Sequence, residues 1–169
     1  GGKAVLHSNG LTYALIWKYP PKNKKESYLQ TTQWLKDGFK KAGVELLFGN
    51  QPVNISNSDC FATSTLADLV DEDKNKHIGS AQYWKKGHLL QHGEILIEPS
   101  KQLWGKVFNT DPPKIKKGPK EKDRIICSLK EAFIKTWPDL QWSDYKLNKK
   151  DKEIIQGIAR DNFIEENHF

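Results

Sequence analysis

The sequence predicts an α+β fold: a mixed, mainly antiparallel sheet flanked by helices, with a small helical C-terminal part. Three observations carry this. Short apolar stretches separated by turn residues dominate the first hundred positions. Apolar residues at three- and four-residue steps mark helices among them. The last two such stripes fall together at the end of the chain, an order typical of segregated α+β architectures.

Taken in order, residues 4–7 and 11–17 read as strands joined by the turn Ser8-Asn9-Gly10. After Pro20, Pro21 and a lysine-rich loop, Ser27 is a suitable helix cap, and Tyr28, Thr31, Leu35, Phe39 and Ala42 line one helical face. Gly43 suits the end of that helix, and residues 44–48 are strand-like. A polar, irregular stretch runs to Cys60. Residues 66–70 read as a strand, 71–75 as a charged turn, and 76–84 with 88–98 as a hairpin turning at Lys85-Lys86-Gly87. Residues 100–108 form a short capped helix. Ile125, Ile126, Leu129, Phe133 and Trp137 make a helical stripe, and Ile154, Ile155, Ile158, Ala159 and Phe163 make a last one. No internal repeat is present.

A chain of 169 residues suits one domain, and 37% hydrophobic residues with seven Phe, six Trp and five Tyr suffice for a core. The net charge of +6 admits an acidic partner. The excess sits at Lys114, Lys116, Lys117, Lys120, Lys122 and Arg124, interrupted by Pro112, Pro113, Gly118 and Pro119, which describes a solvated loop. Aromatic and basic residues do not interleave as in base-stacking surfaces, so no nucleic-acid partner is expected. No apolar run is long enough to span a bilayer and no signal-peptide pattern opens the chain, so neither membrane association nor export is expected. The two cysteines, Cys60 and Cys127, have no metal-binding spacing. No metal site is expected, and a reducing, cytoplasmic setting is the simpler reading. The chain contains no Met, so Gly1 is not a genetic start; the sequence reads as a fragment lacking its N-terminal part.

Three segments have the composition of a binding site. In Gly1-Gly2-Lys3-Ala4-Val5-Leu6-His7, the glycines let backbone N–H groups approach an anion or a carbonyl, although two glycines and a lysine also make a plain turn. In Lys76-His77-Ile78-Gly79-Ser80-Ala81-Gln82, small residues interrupt a bulky strand, as at a bulge or beside a ligand. In Leu90-Gln91-His92-Gly93-Glu94-Ile95-Leu96, a polar, flexible pair breaks an apolar strand.

In this order the segments resemble the signature stretches of the lipoate–protein ligase and octanoyltransferase family, which shares its catalytic fold with biotin–protein ligases. The match covers about the whole chain, since residues 124–163 also resemble the family's C-terminal pair of helices. The resemblance implies a partial catalytic domain over residues 1–111, without the strand and helix that precede the glycine-rich stretch in members. A Pro/Lys-rich loop would follow at 112–123, and C-terminal helices packing on the same domain at 124–169. It implies an enzyme that attaches an octanoyl or lipoyl group to a lysine of a lipoyl carrier domain. Lys76 matches the family's essential lysine. Gly1, Gly2, Lys3, Ala4, His7, Gly79, Ser80, Ala81, His92 and Gly93 would wall the acyl pocket.

Two chemistries run on that scaffold. A transferase takes octanoate from acyl carrier protein through an enzyme thioester and needs no cofactor. A ligase uses ATP and Mg to make an acyl-adenylate. Cys60-Phe61 resembles the nucleophile of one octanoyltransferase group at nearly the same distance from the lysine, so Cys60 is the expected nucleophile; a small buried apolar residue is its other reading. Cys127, on a helix flank, is expected to be structural. Biotin–protein ligase and a non-catalytic binding module are the remaining alternatives.

Overall fold

The computed structural model describes residues 4–49, 61, 68–115 and 122–163. The chain divides into two compact units, Gly1–Trp137 and Pro138–Phe169.

The first unit is built on a five-stranded antiparallel sheet of order β1-β5-β4-β3-β2. Its strands are β1 (Leu11–Lys18), β2 (Leu47–Phe48), β3 (Leu69–Val70), β4 (Lys76–Lys85) and β5 (His88–Ile95). The β4–β5 hairpin closes on Lys85 opposite His88, with Lys86 and Gly87 in the loop at φ 49° and 76°. Two left-handed residues match the right-handed twist of the strands they join, and glycine takes the second place at no steric cost.

Strand alternation gives the sheet two different faces. Tyr13, Leu15 and Trp17 of β1 stand beside Gly93, Gln91 and Leu89 of β5, and these beside Ser80, Gln82 and Trp84 of β4. This face is covered by α1 (Lys24–Lys41) and α3 (Lys122–Thr136). Leu35, Phe39, Ile78, Ile95, Ile125 and Leu129 form the main core there. Edge-on ring contacts extend it: Tyr13 to Trp34 at 5.5 Å, Trp34 to Phe133 at 5.1 Å, and Trp17 to Trp137 at 5.8 Å. The opposite, outer face carries Thr12, Ala14 and Ile16 of β1, Glu94, His92 and Leu90 of β5, and Gly79, Ala81 and Tyr83 of β4. Much of it is open, with Ile16 76% and Tyr83 58% exposed. A smaller core of Phe61, Leu96 and Trp104, joined by Leu6 and Phe108, forms with α2 (Lys101–Phe108).

Several boundaries differ from those expected. Asn23, not Ser27, caps α1: its side chain accepts from the Lys25 and Glu26 amides, so the helix starts before the apolar stripe does. Ser27 is buried inside the first turns and donates to the Pro21 carbonyl. Residues 44–48 give only the short β2, because the Val44 amide turns back to the Phe39 carbonyl after Gly43 at φ 92°. Within residues 4–7 only Ala4 makes a strand-type bridge. Ser100 caps α2 as expected, accepting from the Leu103 amide.

The second unit carries α4 (Lys149–Phe163). Asn148 and Asp151 cap it reciprocally, each side chain accepting from the other's amide at 2.9 Å. Ile154, Ile155 and Ile158 are each about half exposed. Among the described residues no helix is long and apolar enough to cross a membrane.

The crossing of α1 and α3 makes a test of the core. A Cβ at Gly38 would lie 2.7 Å from Leu129 Cδ2 and 3.0 Å from its Cα. Gly38→Ala gains about 1 kcal/mol in helix propensity, but overpacking a tight contact costs about 1–3 kcal/mol. The expected outcome is a lower urea midpoint; a higher one would mean that the two helices separate easily at this point.

Candidate functional site

Lys76 opens β4 and is 4% exposed. Burying an ammonium is costly unless a partner compensates it. The partner is Asp68, also 4% exposed, with Oδ1 3.1 Å from Lys76 Nζ. The same carboxylate oxygen accepts from the Ser80 amide at 3.3 Å. The Phe61 ring centre lies 5.0 Å from Nζ, within cation–π range.

A bulge explains how Lys76 reaches this position. In a regular strand, residues three apart stand on opposite faces. Lys76 and Gly79 nevertheless share one face, since a Cβ on Gly79 would lie 3.0 Å from Lys76 Cε and 3.4 Å from Nζ. The β3–β4 register supplies the reason: Leu69 pairs with Ile78 but Val70 pairs with Lys76, which leaves His77 as an extra residue on β4. His77 turns toward the helices, its ring 6.4 Å from that of Phe39, and Lys76 is thrown to the outer face. The lysine stem then passes over Gly79, where any larger residue would displace it.

The bulge is anchored by polar contacts. His77 is 1% exposed, and its Nε2 lies 3.2 Å from Asp71 Oδ2. Asp71 also accepts from the Asn75 amide at 2.8 Å and from the Asn75 side chain, which closes the turn ahead of β4. Burial holds the His77 imidazole below its ordinary pKa in spite of Asp71. Burial alone would raise the Asp71 carboxyl, but hydrogen bonds from Asn75 and His77 bring it below the usual carboxylate range.

The glycine-rich segment meets the same face. His7 Nδ1 lies 2.7 Å from Glu94 Oε2, and Glu94 is paired across the strands with Gly79. Leu6 packs on the Phe61, Leu96 and Trp104 cluster. His92 is exposed on the outer face between Ala14 and Ala81. The structure thus brings together His7, Lys76, Gly79, Ala81 and His92.

Ser80 and Gly93 do other work. Tyr13 lies across Gly93, where a Cβ would come within 2.7 Å of Tyr13 Cε1 and 2.3 Å of the Gly79 carbonyl oxygen. The tyrosine oxygen is 2.7 Å from Ser80 Oγ on the helix-facing side. Gln91, fully buried, donates through Nε2 to the Tyr13 oxygen at 3.0 Å and to the Thr31 carbonyl at 3.1 Å, and accepts from Gln82 Nε2 at 2.8 Å. Either hydroxyl of the Tyr13–Ser80 pair can be the donor. Burial pushes that phenol's pKa up to about 12.

Ala4 is exposed. Gly1, Gly2, Lys3 and Cys60 lie outside the described residues. Cys127 is a free, exposed thiol on α3. Asp68 and the pairing of Glu94 were not anticipated. The visible signal for Asp68 was a charge inside the apolar run Leu66-Ala67-Asp68-Leu69-Val70. Among the described residues no group of His, Cys, Asp and Glu side chains sits at metal-binding spacing. Among the described residues a hollow of about 430 Å³ lies between the β1 edge and α3, including Leu11, Trp34, Ile126 and Phe133, and another of about 540 Å³ lies among charged residues of α1 and α3.

Comparison with known proteins identifies the family. Residues 1–145 match the lipoyl protein ligase A/B catalytic domain. Similar sequences include the octanoyltransferase LipM of Geobacillus kaustophilus, 29% identical over 189 residues, covering 95% of this chain and 68% of that protein. LipM of Kyrpidia tusciae is 36% identical, covering 94% and 59%, and LipM of Lysinibacillus sphaericus 33% identical, covering 79% and 50%. The chain thus spans about half to two thirds of the length of these relatives. In fold it is similar to a T. acidophilum protein solved with bound lipoic acid, with a TM-score of 0.75 at 16% identity, covering 96% of this chain and 65% of that one. It is also similar to lipoate-protein ligase A bound with ATP, with a TM-score of 0.67 at 13% identity, covering 91% and 62%. The chain belongs to the lipoyl protein ligase A/B catalytic domain family.

The His77 anchor makes stability depend on pH. Its folded-state pKa lies below the ordinary 6.5, so on acidification the unfolded chain takes up the proton first. Stability is expected to fall as pH drops below about 6.5 and to go on falling until the folded-state pKa is passed. Urea midpoints measured between pH 7.5 and 5 would show it, and His77→Gln should flatten the slope. An unchanged slope in that variant would assign the effect elsewhere.

Proposed function

We infer that this chain carries the acyl-transfer centre of an octanoyltransferase, which moves an octanoyl group from acyl carrier protein to a lysine of a lipoyl carrier domain through a thioester on Cys60. The observation that carries the reading is the buried Lys76–Asp68 pair on the outer face, over Gly79 and against Phe61. Cys60 is joined to Phe61 by a peptide bond, and the Phe61 ring covers the lysine ammonium. A cation at that place raises the thiolate fraction of a neighbouring cysteine and stabilises charge on an acyl oxygen. In the first step the Cys60 sulfur attacks the donor thioester, and the donor's carbonyl carbon–sulfur bond breaks as the new one forms. In the second the acceptor amine attacks, an amide forms, and the Cys60 sulfur leaves. The naming of similar proteins as octanoyltransferases supports the acyl group. The fold is shared with the bi-partite lipoate protein ligase of Thermoplasma acidophilum, studied with its E2 lipoyl domain, which supports the acceptor.

An ATP-dependent ligase is the second reading, favoured by the fold shared with a ligase solved with ATP.

Lys76→Ala in the full-length enzyme is expected to lower transfer by about a hundred- to a thousandfold, read as octanoylation of the carrier domain by intact mass. Near-normal transfer would remove Lys76 from the reaction. Cys60→Ser is expected to abolish the hydroxylamine-sensitive mass gain from octanoyl carrier protein, while Cys127→Ser retains it. If Cys60→Ser keeps full activity and lipoate with ATP yields an adenylate, the ligase reading replaces this one.

A further inference from the structure

We propose that His7 and Glu94 form a catalytic dyad in which His7 is the general base that takes the proton from the acceptor lysine, and Glu94 is the residue that positions it. The proposal rests on the acyl-transfer reading above and adds the proton path that reading leaves open. A lysine amine is protonated at neutral pH and loses two protons on the way to an amide, one before it attacks and one after.

The geometry supplies a group for this step. Glu94 is 3% exposed, and its carboxylate lies 2.7 Å from His7 Nδ1. The chain turns tightly over the carboxylate: a Cβ at Gly10 would lie 2.0 Å from Glu94 Oε1, so only glycine fits there. A carboxylate accepts, so Nδ1 carries the proton and donates. Nε2 is then the basic nitrogen, and it meets no hydrogen-bond partner among the described residues. The His7 side chain is 58% exposed. A buried acid holding one imidazole nitrogen while the other faces outward is the arrangement that fixes the tautomer and stabilises the imidazolium once it forms. The dyad stands one strand from Lys76, because Glu94 is paired with Gly79 and the lysine stem crosses Gly79. In the step itself, the acceptor nitrogen, its first proton already lost to solvent, bonds to the acyl carbon; His7 Nε2 takes the second proton, which the nitrogen sheds as the amide forms, and the electron pair of the breaking carbon–sulfur bond leaves on the Cys60 sulfur.

The test separates the two half-reactions in the full-length enzyme. Acylation is followed with octanoyl carrier protein alone, and transfer by adding a lipoyl carrier domain to the isolated acyl-enzyme in a single turnover. In His7→Ala, transfer is expected to fall about a hundredfold more than acylation, with the carrier-domain concentration at half-maximal rate little changed. Added imidazole is expected to restore part of the rate. Glu94→Gln, nearly isosteric, is expected to slow transfer without loss of thermal stability. Equal losses in both half-reactions, or no response to imidazole, would overturn the dyad. If wild-type enzyme forms no thioester, the transferase reading fails instead, and the same variants are assayed with preformed lipoyl-adenylate. A selective, imidazole-rescued defect there upholds the dyad, and its absence overturns it.

Discussion

The candidate site depends on one buried ion pair. Lys76 and Asp68 are both almost fully enclosed and 3.1 Å apart, and neither charge could be buried without the other. The pair adds little to stability compared with an apolar contact of the same volume. Its effect is on position: it fixes an ammonium at one point above a strand. The neighbouring features conform to that requirement. Gly79 has no side chain because the lysine stem lies over it, Phe61 presents a ring face to the charge, and the Ser80 amide supplies Asp68 with a further donor.

The pair in turn requires a break in the sheet. Without the extra residue at His77, alternation would send Lys76 into the helix layer, among Phe39, Leu35 and Ile78. The bulge therefore trades ladder regularity for the placement of one side chain, and a buried imidazole, an aspartate and an asparagine turn hold it. Further along β4 the sheet is regular, and it separates two kinds of polar chemistry. Ser80 and Gln82 join Tyr13, Gln91 and Thr31 in a hydrogen-bonded layer against α1, whereas Gly79 and Ala81 open the other side.

Local signals made most of this legible in the sequence. The Lys86-Gly87 loop, the Ser100 cap and the stripes of α1 and α3 follow from residues near one another in the chain. So does the spacing of Lys76 to Gly79, although its physical meaning, a bulge, needs the partner strand. Period-two alternation could have set Ser80 apart from Gly79 and assigned it to the helix side; the family pattern reads them as one run and hides the difference. Asp68 and Glu94 were harder for another reason. The partner of Glu94 lies 87 positions away, at His7, and no local rule pairs a strand glutamate with a histidine at that range. Ser27 was displaced as a cap by Asn23, an equally good cap that stands before the apolar stripe begins.

The hydrogen-bonded layer behind β4 has an optical consequence. Two of the six tryptophans report on it directly: the Trp84 indole donates to Gln82, and Trp34 meets the Tyr13 ring edge-on while donating to the Thr31 carbonyl. Gln82 and Ser80 alternate along one strand with Ala81 and Gly79, so a molecule pressing on the front of that strand changes the polarity and packing felt by indoles at its back. Their emission is thus a label already built into the chain, on the side of the strand away from the candidate site.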